Sequence, residues 1–251
     1  MGGSSVAWSP VPGTLTRRSW RTARRPVDLP FAAVAWLVAF FVGQALSVLV
    51  LLIAGVDDTE TTPIPTLFVA VTATWVAYLA GAWWASQRSG SGSFLADYRL
   101  RFAPVDLVGI PLGVLTQLVL VPLVYLPLVE LFPDTFSDDR LSETAERLVE
   151  RAEGAGVGLL ILMVCVIAPV VEEIVYRGML QGALATRLSG LVALAAAAVW
   201  FALIHFRPVE YPGLFVFGLI AGAGLLATGR LGLPIVTHVA FNVTGLVLAW
   251  P

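Results

Sequence analysis

LLILMVCVIAPVVEEIVYRGML, residues 159–180, runs a long apolar stretch straight into Glu172, Glu173 and Arg177. A charge at the centre of a bilayer costs about 2.5 to 3.5 kcal/mol on insertion scales. Three charges in a segment this apolar therefore need partners that only the fold can bring. The segment itself, about 157–187, is long enough to cross a bilayer, and similar ones lie at about 30–55, 64–86, 105–131, 190–206, 213–229 and 233–250. The reading is an all-α, polytopic transmembrane helical bundle of about seven spans with one amphipathic interfacial helix. Composition agrees: of 251 residues, 58% are hydrophobic and 13% charged, against roughly a quarter charged in soluble domains.

The net charge of −2 hides an asymmetry. Arg17, Arg18, Arg21, Arg24 and Arg25 precede the first span, whereas Asp57, Asp58 and Glu60 follow it. Arg88, Arg99 and Arg101 mark the second loop, and Arg187 and Arg230 the fourth and sixth turns. By the positive-inside rule the N-terminus is cytoplasmic and the C-terminus outside, in a multi-pass protein of the cell membrane. Residues 1–29 read as a basic, disordered arm that meets anionic lipid rather than nucleic acid. The TRR at 16–18 suggests a twin-arginine signal, but the apolar run that follows is too long for a signal core. Beyond the arm, 30–131 gives three N-terminal helices, 132–156 an amphipathic connector and 157–251 a four-helix core. In the connector Ser137 is an N-cap, Leu141, Ala145, Leu148 and Ala152 form an apolar stripe, and Glu143 pairs with Arg147. Gly109 and Gly113, Gly178 and Gly182, and Gly218 and Gly222 repeat at four residues, a spacing that lets helices approach closely in lipid. The single cysteine, Cys165, precludes an internal disulfide.

Groups that lipid should exclude gather in the later spans: Glu172, Glu173, Arg177, His205, His238 and Asn242, including both histidines of the chain. Glu173 and Arg177 are four apart and share a helix face, as an ion pair does. Glu172 is rotated about 100° from Glu173 and has no basic residue one turn away, which leaves it available as a general base. Phe201 and His205 share a face of the fifth span, and His238 and Asn242 a face of the seventh. Counted from their turns at about 1.5 Å per residue, Glu172 and His205 are level, while His238 sits roughly 10 Å short. Convergence then needs either a turn near Ser189 that projects beyond the bilayer or a helix break near Pro169. Under the first option the RPVEYP loop, 207–212, lies at membrane depth, which only a wet cavity makes tolerable.

Packing alone explains any one of these groups but not all of them in order on three spans. A proton-coupled transporter is one rival, since intramembrane acids and histidines form relays. A zinc hydrolase is another, with Glu172, His205 and His238 as ligands drawn from separate helices, although HExxH is absent.

EEIVYR (Glu172 to Arg177), FALIH (Phe201 to His205) and HVAFN (His238 to Asn242) resemble the EExxxR, FxxxH and HxxxN motifs of the CAAX-protease and bacteriocin-processing (Abi) family of intramembrane endopeptidases. The resemblance spans about 157–250. It implies a glutamate-dependent peptidase, without a required cofactor, that acts on a peptide or protein substrate at or within the bilayer. Glu172 would activate water with help from His205, and His238 and Asn242 would donate to the oxyanion. Glu173, Arg177 and Phe201 would support them. It equally admits bacteriocin self-immunity without proteolysis.

Overall fold

The structure, a computed structural model, describes residues 27–56 and 61–251; the basic arm and Asp57, Asp58 and Glu60 lie outside the described residues. Every regular element among the described residues is helical. Helix α1 is Leu29–Ile53 and α2 Ile64–Ser89, each opened by a proline in its first turn, where the missing N–H costs nothing. Helix α3 is Pro104–Leu131, α4 the short amphipathic Asp138–Glu150, and α5 Ala155–Leu184. Then come α6, Gly190–Leu203, α7, Pro208–Thr228, and α8, Gly232–Leu248. Helices α1, α2, α3, α5 and α7 are long and apolar enough to cross a membrane. Their outer faces show Leu37, Phe41, Leu52, Val76, Leu126 and Ile161 exposed, an apolar surface that suits lipid and not water.

Two of the seven expected spans are shorter than the sequence suggests. Helix α6 has 14 residues and α8 has 17, so α6 extends only about 21 Å. It stops at Leu203, not at 206, because Pro208 forces the residue before it out of the helical region, and Arg207 sits at φ −121° and ψ 94°. Phe206 takes φ 54° to make the corner.

The helix ends alternate between two sides of the bundle. On one side, Arg151 Nη1 donates to Thr62 O at 3.2 Å, Thr144 Oγ1 to Glu210 Oε1 at 3.1 Å, and Arg207 lies 2.8 Å from Glu210 and 3.7 Å from Glu143. These contacts seat α4 over the turn that carries 204–210, with Glu143 drawn toward Arg207. Helix α4 opens on Ser137, whose hydroxyl accepts from Arg140 N, and carries the Glu143–Arg147 pair at 2.6 Å, as the sequence implies. On the other side, Leu231 N and Gly232 N donate to Arg99 O and Arg101 O, and Asp106 accepts three hydrogen bonds from the Arg230 guanidinium, which pushes the pKa of that arginine up.

Small residues set the spacing at two contacts. A Cβ on Gly109 would sit 2.8 Å from Thr237 N, and one on Gly113 would collide with Thr237 O. Helix α3 is thus pressed backbone-to-backbone on α8 one residue from His238. A Cβ on Gly218 would likewise sit 3.0 Å from Ala198 Cα, so α7 packs closely on α6.

Helix α5 is not broken at Pro169. A π-helical stretch, Leu162–Ile167, precedes the proline, with Ala168 N–H reaching back five residues to Met163 O. The ordinary four-residue register is regained when Glu173 N–H bonds Pro169 O, and a second π stretch, Glu173–Gln181, follows. Helix α5 thus runs continuously through Pro169, which removes the helix break as the means of convergence.

Candidate active site

Helix α5 carries Glu172, Glu173 and Arg177; α6 carries Phe201, with His205 just past its end; α8 carries His238 and Asn242. Glu172, Phe201, His205, His238 and Asn242 line one cavity of about 330 Å³. Its remaining wall includes Leu67, Val71 and Trp75 of α2 and Leu148 of α4. Leu148 belongs to the apolar stripe read from the connector, whereas the three residues of α2 had no signature by which the sequence could single them out.

Glu173 and Arg177 lie beneath this cavity and are completely enclosed, at 0% and 1% exposure. Arg177 Nη1 is 3.1 Å from Glu173 Oε1, and Nη2 is 3.5 Å from Gly218 O. The guanidinium stacks 4.3 Å from the Phe201 ring and 5.6 Å from Phe217, so a cation that lipid would reject is held by a carboxylate and two aromatic faces. This is the ion pair expected from the four-residue spacing. A second contact of Glu173 was not foreseen: its Oε1 accepts from His238 Nδ1 at 2.8 Å, across 65 residues of chain.

His238 is therefore bracketed by both glutamates. Its Nδ1 is committed to Glu173, and its Nε2 lies 3.8 Å from Glu172 Oε2. A carboxylate only accepts, so Nδ1 carries a proton and Nε2 is the atom presented to the cavity. His205 is fixed by the same logic. Its Nδ1 donates to Phe201 O at 2.7 Å, a carbonyl one turn back, which leaves Nε2 as a lone-pair base in the neutral ring. Asn242 Nδ2 donates to Val164 O at 2.8 Å, leaving one amide hydrogen and Oδ1 for the cavity.

Glu172 is partly open, with its side chain 24% exposed, as His205 and Asn242 also are, whereas His238 is buried. It lines the main cavity and also a second one of about 200 Å³, whose wall holds Gln44, Thr74, Tyr78, Tyr176 and His205. Glu172 and His205 stand at the partition between the two. A groove of about 620 Å³ between α3, α4, α7 and α8 adjoins the main cavity through Leu214 and Phe241, and bears Gln117, Tyr125, Glu130 and Glu210 among apolar groups. Tyr125 is held there by Val209 O at 2.7 Å.

Among the described residues, no three His, Cys, Asp or Glu side chains stand together at metal-ligand spacing. Both histidines are engaged through Nδ1, which leaves each Nε2 to serve as a base, a donor or a ligand. The arrangement offers two acceptors, the Glu172 carboxylate and His205 Nε2, and potential donors on His238 and Asn242, on the wall of one small cavity.

Residues 155–244 match the family described as Type II CAAX prenyl endopeptidase Rce1-like. The match takes in all three motifs and bears out the resemblance for this segment, while helices α1 to α4 lie outside it. No curated protein and no solved structure matches the chain.

Proposed function

We propose, from the Rce1-like pattern over residues 155–244 and the cavity it surrounds, that the protein is a multi-pass membrane endopeptidase in which Glu172 activates water. The observation that carries this is the placing of Glu172, His205, His238 and Asn242 on the wall of one cavity, with Glu173 and Arg177 enclosed beneath it. A substrate peptide bond enters by the adjoining groove, at or near the bilayer. Glu172 takes a proton from a water held between its carboxylate and His205 Nε2. The hydroxide formed attacks the carbonyl carbon, and negative charge moves to the carbonyl oxygen. His238, through Nε2 when that atom carries a proton, and Asn242, through its free amide hydrogen, face that oxygen, donors worth about 3 to 4 kcal/mol each when preorganised in a dry site. The Glu173 carboxylate, which already offsets Arg177, accepts from Nδ1 and holds the ring with Nε2 toward the cavity. Glu172 then returns its proton to the leaving amine, which closes the cycle without a metal.

By the positive-inside rule the N-terminus is cytoplasmic, which puts α4 and the 204–210 turn on the outer side. The direct test is purified protein in detergent or liposomes, incubated with membrane-anchored peptides and followed by mass spectrometry. Defined cleavage products that disappear in His205→Ala support the proposal. Proton or solute flux in liposomes, with no peptide cleaved, overturns it in favour of a transporter.

A further inference from the structure

The hydrogen bond from Asn242 to Val164 O has a cause in the sequence of α5. In the π-helical stretch before Pro169, Ala168 N–H bonds Met163 O, five residues back. The next N–H in that register, at position 169, would reach Val164 O. Pro169 has no N–H, and the N–H of Ala168 is already engaged, so both backbone partners that Val164 O could have within the helix are missing. An unpaired carbonyl is costly in a bundle interior. The structure fills it from another helix: Asn242 Nδ2 lies 2.8 Å away. A carbonyl accepts only, which fixes the amide with its NH₂ toward Val164 and leaves Oδ1 and one hydrogen for the cavity wall that Asn242 lines.

We infer that Pro169 is a positioning residue for the site: by withholding one backbone N–H it leaves Val164 O as the anchor that sets the orientation of the Asn242 amide. Its missing donor acts through Asn242, without touching the reacting atoms. The same contact locks α8 to α5, and with it the height of His238 one turn before Asn242. The part of the inference that concerns chemistry rests on the proposed peptidase reading; the part that concerns the hydrogen bond does not.

Two measurements keep these apart. The first is a thermal cycle on full-length protein in detergent. Asn242→Ala strips Val164 O of its partner and should lower the unfolding midpoint by about 3 °C or more. In a Pro169→Ala background the restored N–H satisfies that carbonyl, and the same substitution should shift the midpoint by less than half as much. A single variant that folds only when Pro169→Ala is also present is this coupling in its strongest form. Equal shifts in the two backgrounds overturn the inference. The second is turnover. Pro169→Ala releases the Asn242 amide, so kcat should fall about 10-fold or more with KM little changed, and the double variant should be no slower than Asn242→Ala alone. Wild-type kcat in Pro169→Ala, or losses that multiply in the double variant, reject the positioning role. If wild type cleaves no peptide at all, the peptidase reading fails, and the thermal cycle still decides whether Pro169 and Asn242 are coupled.

Discussion

Glu173→Gln is the substitution whose consequences the structure separates best. Glu173 is fully enclosed and serves two partners with one oxygen, Arg177 at 3.1 Å and His238 Nδ1 at 2.8 Å. Removing its charge leaves Arg177, at 1% exposure, as an uncompensated buried cation. Breaking a buried pair from one side costs about 3 to 5 kcal/mol, or roughly 6 to 20 °C in unfolding midpoint for a chain of this size. Arg177→Met should cost a similar amount from the other side. The double variant Glu173→Gln/Arg177→Met buries no net charge and should regain at least half of the lost stability. Turnover should not follow. The double variant still lacks the carboxylate on Nδ1 that holds the His238 ring, so kcat should stay down by up to about 10²- to 10³-fold, the scale of a lost oxyanion donor. The assay pairs thermal unfolding in detergent with cleavage of one peptide by the same samples. A single variant of wild-type stability refutes the buried-pair reasoning. A double variant that recovers both stability and turnover refutes the link from Glu173 to His238.

Three further outcomes follow from the same contacts. Gly113→Ala places a methyl against Thr237 O and 2.8 Å from Phe241 N; it should cost about 1 to 3 kcal/mol and lower turnover by shifting α8, measured by unfolding midpoint and kcat. Asp106→Ala removes the partner of Arg230 and the acceptor for Ala103 N at 2.7 Å; it should cost about 3 kcal/mol or less, with kcat of the folded fraction unchanged, because the clasp holds the start of α8, about 9 Å along the helix from His238, and touches none of the cavity residues. Exhaustive chelation should leave peptide cleavage intact, whereas activity lost on metal removal and restored by zinc would replace the glutamate mechanism with a metal one.

The bundle was legible because bilayer-length apolar runs have a single physical reading. The lengths of α6 and α8 were less so, since Pro208 ends α6 inside an apolar stretch where hydropathy alone shows no boundary. Within the site, the Glu173–Arg177 pair could be read from helical spacing, and the absence of Glu172 from that pair from its rotation about the helix; the partial exposure of Glu172 was not read from the sequence. The Glu173–His238 bond joins residues 65 apart on different helices, and no local rule reports it. The Asn242–Val164 bond depends on a π register that leaves no mark in composition. Trp75 and Tyr78 enter the cavity walls from α2, where an aromatic residue is equally at home facing lipid.

The most direct measurement is cleavage of a single membrane-anchored peptide by wild type and by Glu172→Gln, with matched unfolding midpoints as the control for folding. Glu172 is part-exposed and its contact with His238 is long, at 3.8 Å, so the variant should fold as wild type does and lose about 10²- to 10⁴-fold in kcat, the contribution of a positioned general base. Equal rates from the two folded proteins would remove Glu172 from the chemistry.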